Sequence, residues 1–348
     1  MRFLITGGCG FIGSHFVRHL LSRYPEAEVV NLDALTYAAH PDTRVELDTL
    51  APGRYRFVQG DIASDAVSHL LAERRFDAIV NFAAETHVDR SILDPAVFVS
   101  TNIKGVQTLL TAARDAGGVK LVHVSTDEVY GSLAPGAPPL RESAPLDPNS
   151  PYAASKASAD LLVLASERTY GQPAMITRCT NNFGPYQFPE KLIPLVIANA
   201  IEDKPVPVYG DGGQVRDWIY VEDHCAGIDA ILQRGISGQI YNISARSERD
   251  NLTVVRGILK LLGKSDSLIQ HVGDRPAHDR RYGLDATKIA AELGWKPVVP
   301  FEEGLARTVK WYRENPAWWK KLRDEKYFNY YSANYAGKFR TSQEGVGS

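Results

Sequence analysis

FLITGGCGFIGSHFVRHLL, residues 3–21, runs from an apolar, β-branched segment through four glycines into an amphipathic stretch. Gly7, Gly8, Gly10 and Gly13 lie between the implied strand and the implied helix. A tight turn, a close approach to a pyrophosphate and close helix–strand contact each favour a residue without Cβ. The helix N-terminus then offers free N–H groups and a favourable dipole to an anion. A glycine-rich turn alone is a weak signal, because structural turns use glycine too. Here it follows a strand, opens a helix and is answered by Asp33, about 20 residues on, at the end of the next strand. Together these make a dinucleotide fingerprint. An acid at Asp33 accepts from a ribose 2′-OH and repels a 2′-phosphate, which favours NAD over NADP. Asp61 and Ile62, ending a third strand, are placed to meet the adenine.

Outward from that stretch, short β-branched runs alternate with amphipathic ones. RFLIT (2–6), EVVNLD (28–33), RFVQGD (56–61), DAIVNFA (77–83), KLVHVS (120–125) and PAMITRC (173–179) read as buried strands. Residues 11–24, 65–75, 96–117 and 151–171 between them read as helices. Such alternation builds a parallel sheet covered on both faces, and right-handed crossovers make it doubly wound. The fold class is therefore α/β, a Rossmann-type sheet with a smaller α/β substrate-binding lobe. We expect residues 1–180 to form the NAD-binding domain and 181–335 mainly the substrate lobe, with more than one chain crossing allowed. Helical segments are expected near 192–202, 222–234, 252–263, 285–293 and 302–314. The polar stretch 336–348 is expected to fray as a tail.

Composition limits the function classes. The chain has 348 residues, 44% hydrophobic and 23% charged, as expected for a globular enzyme with a sizeable core. A net charge of −2 gives no pull toward nucleic acid or an acidic membrane surface. Cys9, Cys179 and Cys225 are scattered, which argues against a disulfide framework or a zinc site and fits a reducing, cytoplasmic setting. The most apolar window, LIPLVIANAI, is about half the length of a membrane span. His87 and His278 have no companion ligand spacing, so hydrogen bonding suits them better than a metal, and none is expected. The aromatic run 311–335, interleaved with Lys and Arg, could stack bases, but its balanced acids point instead to packing on the globule.

Chemistry gathers after the fifth strand. SPYAASKASADLL carries Tyr152 and Lys156, four apart and so on one helix face. A tyrosine near pKa 10 is a poor base at neutral pH, and a neighbouring ammonium, with the nicotinamide's positive charge nearby, favours the phenolate. The same spacing is common on solvated helices; position in a dinucleotide fold is what gives it weight. Thr126 and Tyr152 can both reach the C-terminal edge of the sheet. STDEVYG adds two adjacent acids, Asp127 and Glu128. The structural explanation is that acids favour a helix N-terminus. Alcohol oxidation needs Tyr, Lys and Ser/Thr, and does not explain two more carboxylates.

TGGCGFIGSHF with YAASK resembles the extended short-chain dehydrogenase/reductase family. Within it, AAETHVDRS, STDEVYG, NNFGPYQFPEKLIPL, RDWIYVEDH and DRPAHDRRYGLD resemble the dTDP-glucose 4,6-dehydratases, from residue 1 to about 335. The resemblance implies oxidation at C-4 of a sugar, loss of water across C-5 and C-6, and hydride return to C-6. It implies Glu128 as the C-5 base, Asp127 as the acid for the C-6 hydroxyl, and Thr126 beside Tyr152 on the C-4 oxygen. Around NAD it implies Gly7, Gly10, Phe11, Ile12, Gly13, Asp33, Ala34, Leu35, Thr36, Asp61, Ile62, Phe82, Ala83, Ala84, Thr86, Thr101, Tyr152, Lys156 and Asn182. Around dTDP-glucose it implies Thr86, Thr126, Asn181, Lys191, Leu192, Pro207, Val208, Tyr209, Arg216, Asn251, Asp274, Arg275, Pro276, Ala277 and His278. Guanidinium forks suit a pyrophosphate, although most arginines make structural ion pairs.

Two departures from the family pattern stand out: Ala277 where Gly is usual, and the missing GN after LTYA (35–38). Both bear on nucleotide preference. Family members pair the helices near 95–116 and 152–170 with their symmetry mates, so a homodimer through a four-helix bundle is expected. A UDP-glucose 4,6-dehydratase, a UDP-glucuronate decarboxylase or a 4-epimerase shares this fold. The decarboxylases resemble it with Ser in place of Asp127, and epimerases need no acid pair.

Overall fold

The computed structural model describes residues 1–40 and 42–335. Among these, the strands in chain order are β1 (Arg2–Thr6), β2 (Glu28–Asp33), β3 (Tyr55–Gln59), β4 (Ala78–Asn81), β5 (Lys120–Thr126), β6 (Ala174–Cys179), β7 (Asn181–Phe183), β8 (Val206–Tyr209), β9 (Val215–Tyr220), β10 (Ile240–Ile243), β11 (Glu248–Asp250) and β12 (Ile269–Val272). Seven of them form one wholly parallel sheet in the order β10-β6-β5-β4-β1-β2-β3. The order reverses between β1 and β4, and ligands of open α/β sheets bind in the crevice at such a reversal. The chain re-enters this sheet at β10, after making β7, β8 and β9 elsewhere.

Both faces of the sheet are covered, so its central strands are nearly continuous apolar runs. Phe3, Ile5, Val80 and Val122 pack on one side with Phe16, Leu20, Ile228 and Ile231 of the helices Phe11–Arg23 and Val221–Arg234. Leu4, Ile79, Leu121 and Ile176 pack on the other with Leu109, Leu110 and Val163. A third core belongs to the smaller lobe, where LIPLVIANAI becomes the buried helix Leu192–Ile201. Among the described residues no helix is long and apolar enough to cross a membrane.

Among the elements that differ from the sequence reading, two bear on the site. The continuous helix expected over 96–117 is a short turn, Pro95–Phe98, then a π-helical stretch, Val99–Lys104, then a helix, Gly105–Asp115. One wide turn rotates the facing of the Gly105–Asp115 helix, which a 3.6-residue period cannot reveal. It buries Asn102, whose amide bridges Glu85 N (2.9 Å), Glu85 O (3.0 Å) and Ser155 Oγ (2.8 Å). The second difference is the short helix Val88–Leu93, which the sequence reading lacked.

The aromatic run packs back on the globule, as its composition implied. Trp319 is fully buried, and Trp318 stacks on His40 with ring centroids 4.5 Å apart. Lys321 Nζ donates to Asp42 at 2.7 Å. Phe188, Leu322 and Tyr327 close over Tyr37. The chain's last described helices thus hold the loop that follows β2. The stretch expected to fray, 336–348, lies outside the described residues.

Candidate active site

A single cleft of about 300 Å³ runs along the C-terminal edge of the sheet, from Asp33 and Asp61 to Glu128 and Lys191. Its first half is backbone. A Cβ on Gly7 would lie 2.6 Å from Ala83 N, and one on Gly13 would lie 2.2 Å from Gly7 O, so neither position admits a side chain. Asp33 Oδ2 accepts from Cys9 N (2.8 Å) and Oδ1 from Leu35 N (2.7 Å), tying the glycine turn to the end of β2. Each carboxylate oxygen keeps a second lone pair beside the cleft. Bare main chain at a helix N-terminus with an acid at the far end fits a dinucleotide such as NAD. All the residues expected around NAD line the cleft except Leu35, which takes a left-handed backbone (φ 55°) and meets Asp33 through its amide.

The chemical half is built by β5 and the Pro151–Tyr170 helix. Ser150 Oγ caps that helix by accepting from Ala153 N at 3.1 Å, and Gly171 ends it at φ 65°. Tyr152 and Lys156 therefore share one face, and both line the cleft with Thr126, Asp127 and Glu128. Thr126 Oγ1 donates to Asp127 Oδ1 (3.2 Å) and accepts from Glu128 N (3.3 Å).

The two acids sit in different fields. Asp127 is 4% exposed, and its Oδ2 has no partner among the described residues. Burial, reinforced by the Glu128 charge, pushes its carboxyl well above the usual range. Burial also raises Glu128, but Arg275, Lys191 and Arg216 oppose that. Asp127 is thus the more strongly raised of the two, with an unpartnered oxygen, while three cations oppose the rise of Glu128.

Tyr152 shows why the phenolate needs the nicotinamide charge as well as Lys156. Burial, then the Glu128 charge, drives its phenol well above 10. Lys156 Nζ is spent on Val124 O at 2.7 Å, and burial lowers Lys156 to about 8. The protein alone leaves Tyr152 neutral.

Toward the smaller lobe, Thr86, Asn181, Asn182 and Lys191 line the cleft. Arg216 stacks on Tyr282 (4.4 Å) and donates to Asp279 O (2.9 Å), while Arg275 pairs with Asp89 (2.9 Å). The structural alternative for both arginines is partly realised, yet both act on Glu128. Asn251 Oδ1 is buried without a partner among the described residues. Tyr209 donates to Asp89 Oδ2 (3.1 Å), and Asp274 Oδ1 meets His278 Nδ1 (2.5 Å). Pro276 and Ala277 are exposed, and Ala277 adopts φ 51°, where glycine is at ease. Three expected contacts lie against the lobe core. Val208 is buried in the lobe core and Leu192 packs against it, so neither offers its side chain freely to a ligand. Pro207 is buried beside them.

Sequence reasoning missed Glu85, Ser125, Cys179, Thr180, Gln187, Phe188 and Glu190 in the cleft. It also missed His123, fully buried beneath Lys156. A histidine in the core of an apolar strand was the available signal. His87 and His278 are held to about 4 by burial, and among the described residues no cluster of metal-ligating side chains exists.

A family profile for GDP-mannose 4,6 dehydratase matches residues 4–308. A dTDP-glucose 4,6-dehydratase from Xanthomonas campestris pv. campestris (strain B100) is 49% identical over 344 residues, covering 93% of this chain and 97% of its own. The chain belongs to the dTDP-glucose 4,6-dehydratase family. A solved dTDP-glucose 4,6-dehydratase from Streptomyces venezuelae, with NAD bound, is 52% identical with a TM-score of 0.88, covering 92% of this chain and 100% of that one. The UDP-glucose 4-epimerase of Thermus thermophilus, also with NAD, superposes at a TM-score of 0.83 with only 32% identity, covering 90% and 100%. Fold therefore does not separate dehydratase from epimerase; the residues do.

Proposed function

We propose that the protein is an NAD-dependent dehydratase that converts dTDP-glucose to dTDP-4-keto-6-deoxyglucose and water. The carrying observation is the pair at 127–128: an Asp127 pushed well above the usual carboxyl range, whose Oδ2 faces no protein partner, beside a Glu128 whose own rise three cations oppose, in one cleft with Tyr152 and Lys156. An epimerase has no use for that pair. Bound NAD supplies a hydride acceptor for C-4, a hydride for C-6, and a ring charge that favours the Tyr152 phenolate. Tyr152 takes the C-4 hydroxyl proton, and Thr126 Oγ1 holds the C-4 oxygen. The resulting ketone acidifies C-5, Glu128 takes that proton, and Asp127 gives its own to the departing C-6 hydroxyl; as hydride returns to C-6, Glu128 gives the proton back to C-5. Arg216, Arg275, Lys191 and Asn251 hold the nucleotide diphosphate.

In the same reading, residues 1–180 with the returning β10 carry the cofactor, and the rest of 181–335 carries the nucleotide. The working unit is a homodimer through the helices 95–115 and 151–170, located in the cytoplasm. Incubation with dTDP-glucose and with UDP-glucose, with products weighed by mass spectrometry, tests this. Loss of one water from dTDP-glucose is expected. An unchanged mass with a new C-4 epimer would contradict it.

A further inference from the structure

Beneath Lys156 lies a charge pair that no step of the proposed reaction uses. Asp160 is one turn further along the helix, on the face of Tyr152 and Lys156. It has no solvent exposure, and its Oδ2 accepts from Arg178 Nε at 2.8 Å. Arg178, 2% exposed, lies over the Tyr130 ring at 4.6 Å. The other oxygen, Oδ1, has no hydrogen-bond partner among the described residues and lies 3.8 Å from His123 Nε2. That same nitrogen is 3.5 Å from Lys156 Nζ. Replacing a buried ion pair with apolar side chains is often neutral or stabilising, so stability alone is a weak reason for this one.

The surroundings narrow what it does. The titratable groups around Lys156 are His123 of β5, 3.5 Å away, Cys179 of β6 and Asp160 of its own helix, with Tyr152 and Asp127 lining the same cleft and Arg178 joined through Asp160. Burial holds His123 neutral, keeps Cys179 as the thiol at about 12, and leaves Tyr152 and Asp127 protonated. Burial raises the Asp160 carboxyl as well, but the Arg178 guanidinium bonded to it opposes that rise, so Asp160 and Arg178 are the charge pair of this pocket. They form an oriented dipole, with the carboxylate Oδ1 toward His123, which lies between it and Lys156, and the guanidinium on the other oxygen.

We propose that Asp160, anchored by Arg178 and facing Lys156 across His123, is a positioning residue that keeps the Lys156 ammonium in place for the Tyr152 proton step. This rests on the dehydratase reading for the role of Lys156, but not for its geometry. Burial pulls Lys156 toward its neutral form, and Asp160 is the largest influence opposing that.

The test uses the intact protein with [ζ-15N]lysine, the Lys156 resonance being identified by its loss in Lys156→Met. Asp160→Asn/Arg178→Met removes both buried charges together. Its Lys156 midpoint is expected to fall by about one pH unit or more, a tenfold change. The alkaline limb of kcat/KM should move to lower pH, with the plateau below it retained. Arg178→Met alone leaves Asp160 uncompensated and should move the midpoint up. An unmoved midpoint in the double variant overturns the proposal. So does a double variant that does not fold, since the pair would then serve the fold. A loss of plateau without a shift in the limb also overturns it. Should the wild-type protein not dehydrate dTDP-glucose, the proposed function fails while the Nζ titration still decides the role of Asp160.

Discussion

Asp127 and Glu128 are adjacent in the chain, and burial raises both carboxyls, yet only the rise of Glu128 is opposed chiefly by cations, Arg275, Lys191 and Arg216. The proposed division of labour predicts three distinct variants. Glu128→Gln keeps the oxidation machinery but loses the C-5 base, so reduced cofactor should accumulate with substrate while water loss falls about 10²–10⁴-fold. Asp127→Asn should stall at the same point but less severely. Tyr152→Phe should accumulate no reduced cofactor. Absorbance of reduced nicotinamide in single turnovers separates them; accumulation in Tyr152→Phe would contradict the scheme. Stability gives an independent check. The folded-state pKa of Asp127 lies above its unfolded value, so its contribution is complete below the ordinary carboxylate pKa and is lost as pH rises through the folded value. Asp127→Asn cannot ionise, so its Tm should gain on wild type as pH rises; parallel Tm curves would argue against a protonated Asp127. Ala277 at φ 51° carries left-handed strain of about 1–2 kcal/mol, and glycine there gives back about 0.4–1 kcal/mol of unfolded-chain entropy. The difference predicts that Ala277→Gly stabilises by about 0.5–1 kcal/mol in urea melts. At this scale the sequence showed the reacting side chains, because their types and spacing match a chemistry. It did not show His123, Asp160 or Arg178, whose meaning comes only from what the sheet brings beside them.

The elements were legible where a period lasts. The helix Pro151–Tyr170 and the first six strands were readable within a few residues because each buries a regular face. The π-turn at Val99–Lys104 and the three-residue strands β7 and β11 were not, since one extra residue or three carry no period. The glycine turn was legible because sterics there are absolute. Gly13→Ala sets a methyl 2.2 Å from a carbonyl oxygen that belongs to the backbone and cannot swing aside. NAD affinity should fall tenfold or more, about 1.4 kcal/mol at least, by fluorescence titration. A Gly13→Ala protein that purified fully loaded with NAD would show that the turn relaxes. The far ends of elements were less visible: Val208 looked like a ligand contact from its motif, but alternation along β8 turns it into the lobe core.

At the scale of the molecule, the class of fold followed from alternation, whereas the late return of β10 to the sheet did not, because one short strand does not announce its partner. The proposed dimer gives a prediction here. Val97, Val99 and Leu161 are 42%, 54% and 57% exposed, while Leu162 and Leu164 pack partly against the core. Light scattering should give twice the chain mass, and Leu161→Glu should shift it toward the monomer; a monomeric wild type at micromolar concentration would rule the interface out. The clasp between Lys321 and Asp42 joins positions 279 residues apart. A ribosome adding about 5–20 residues per second makes the second partner roughly 15–60 s after the first. The loop after β2 therefore leaves the exit tunnel unfastened, and a nascent chain can bring this wall of its cleft to final form only once synthesis is nearly over.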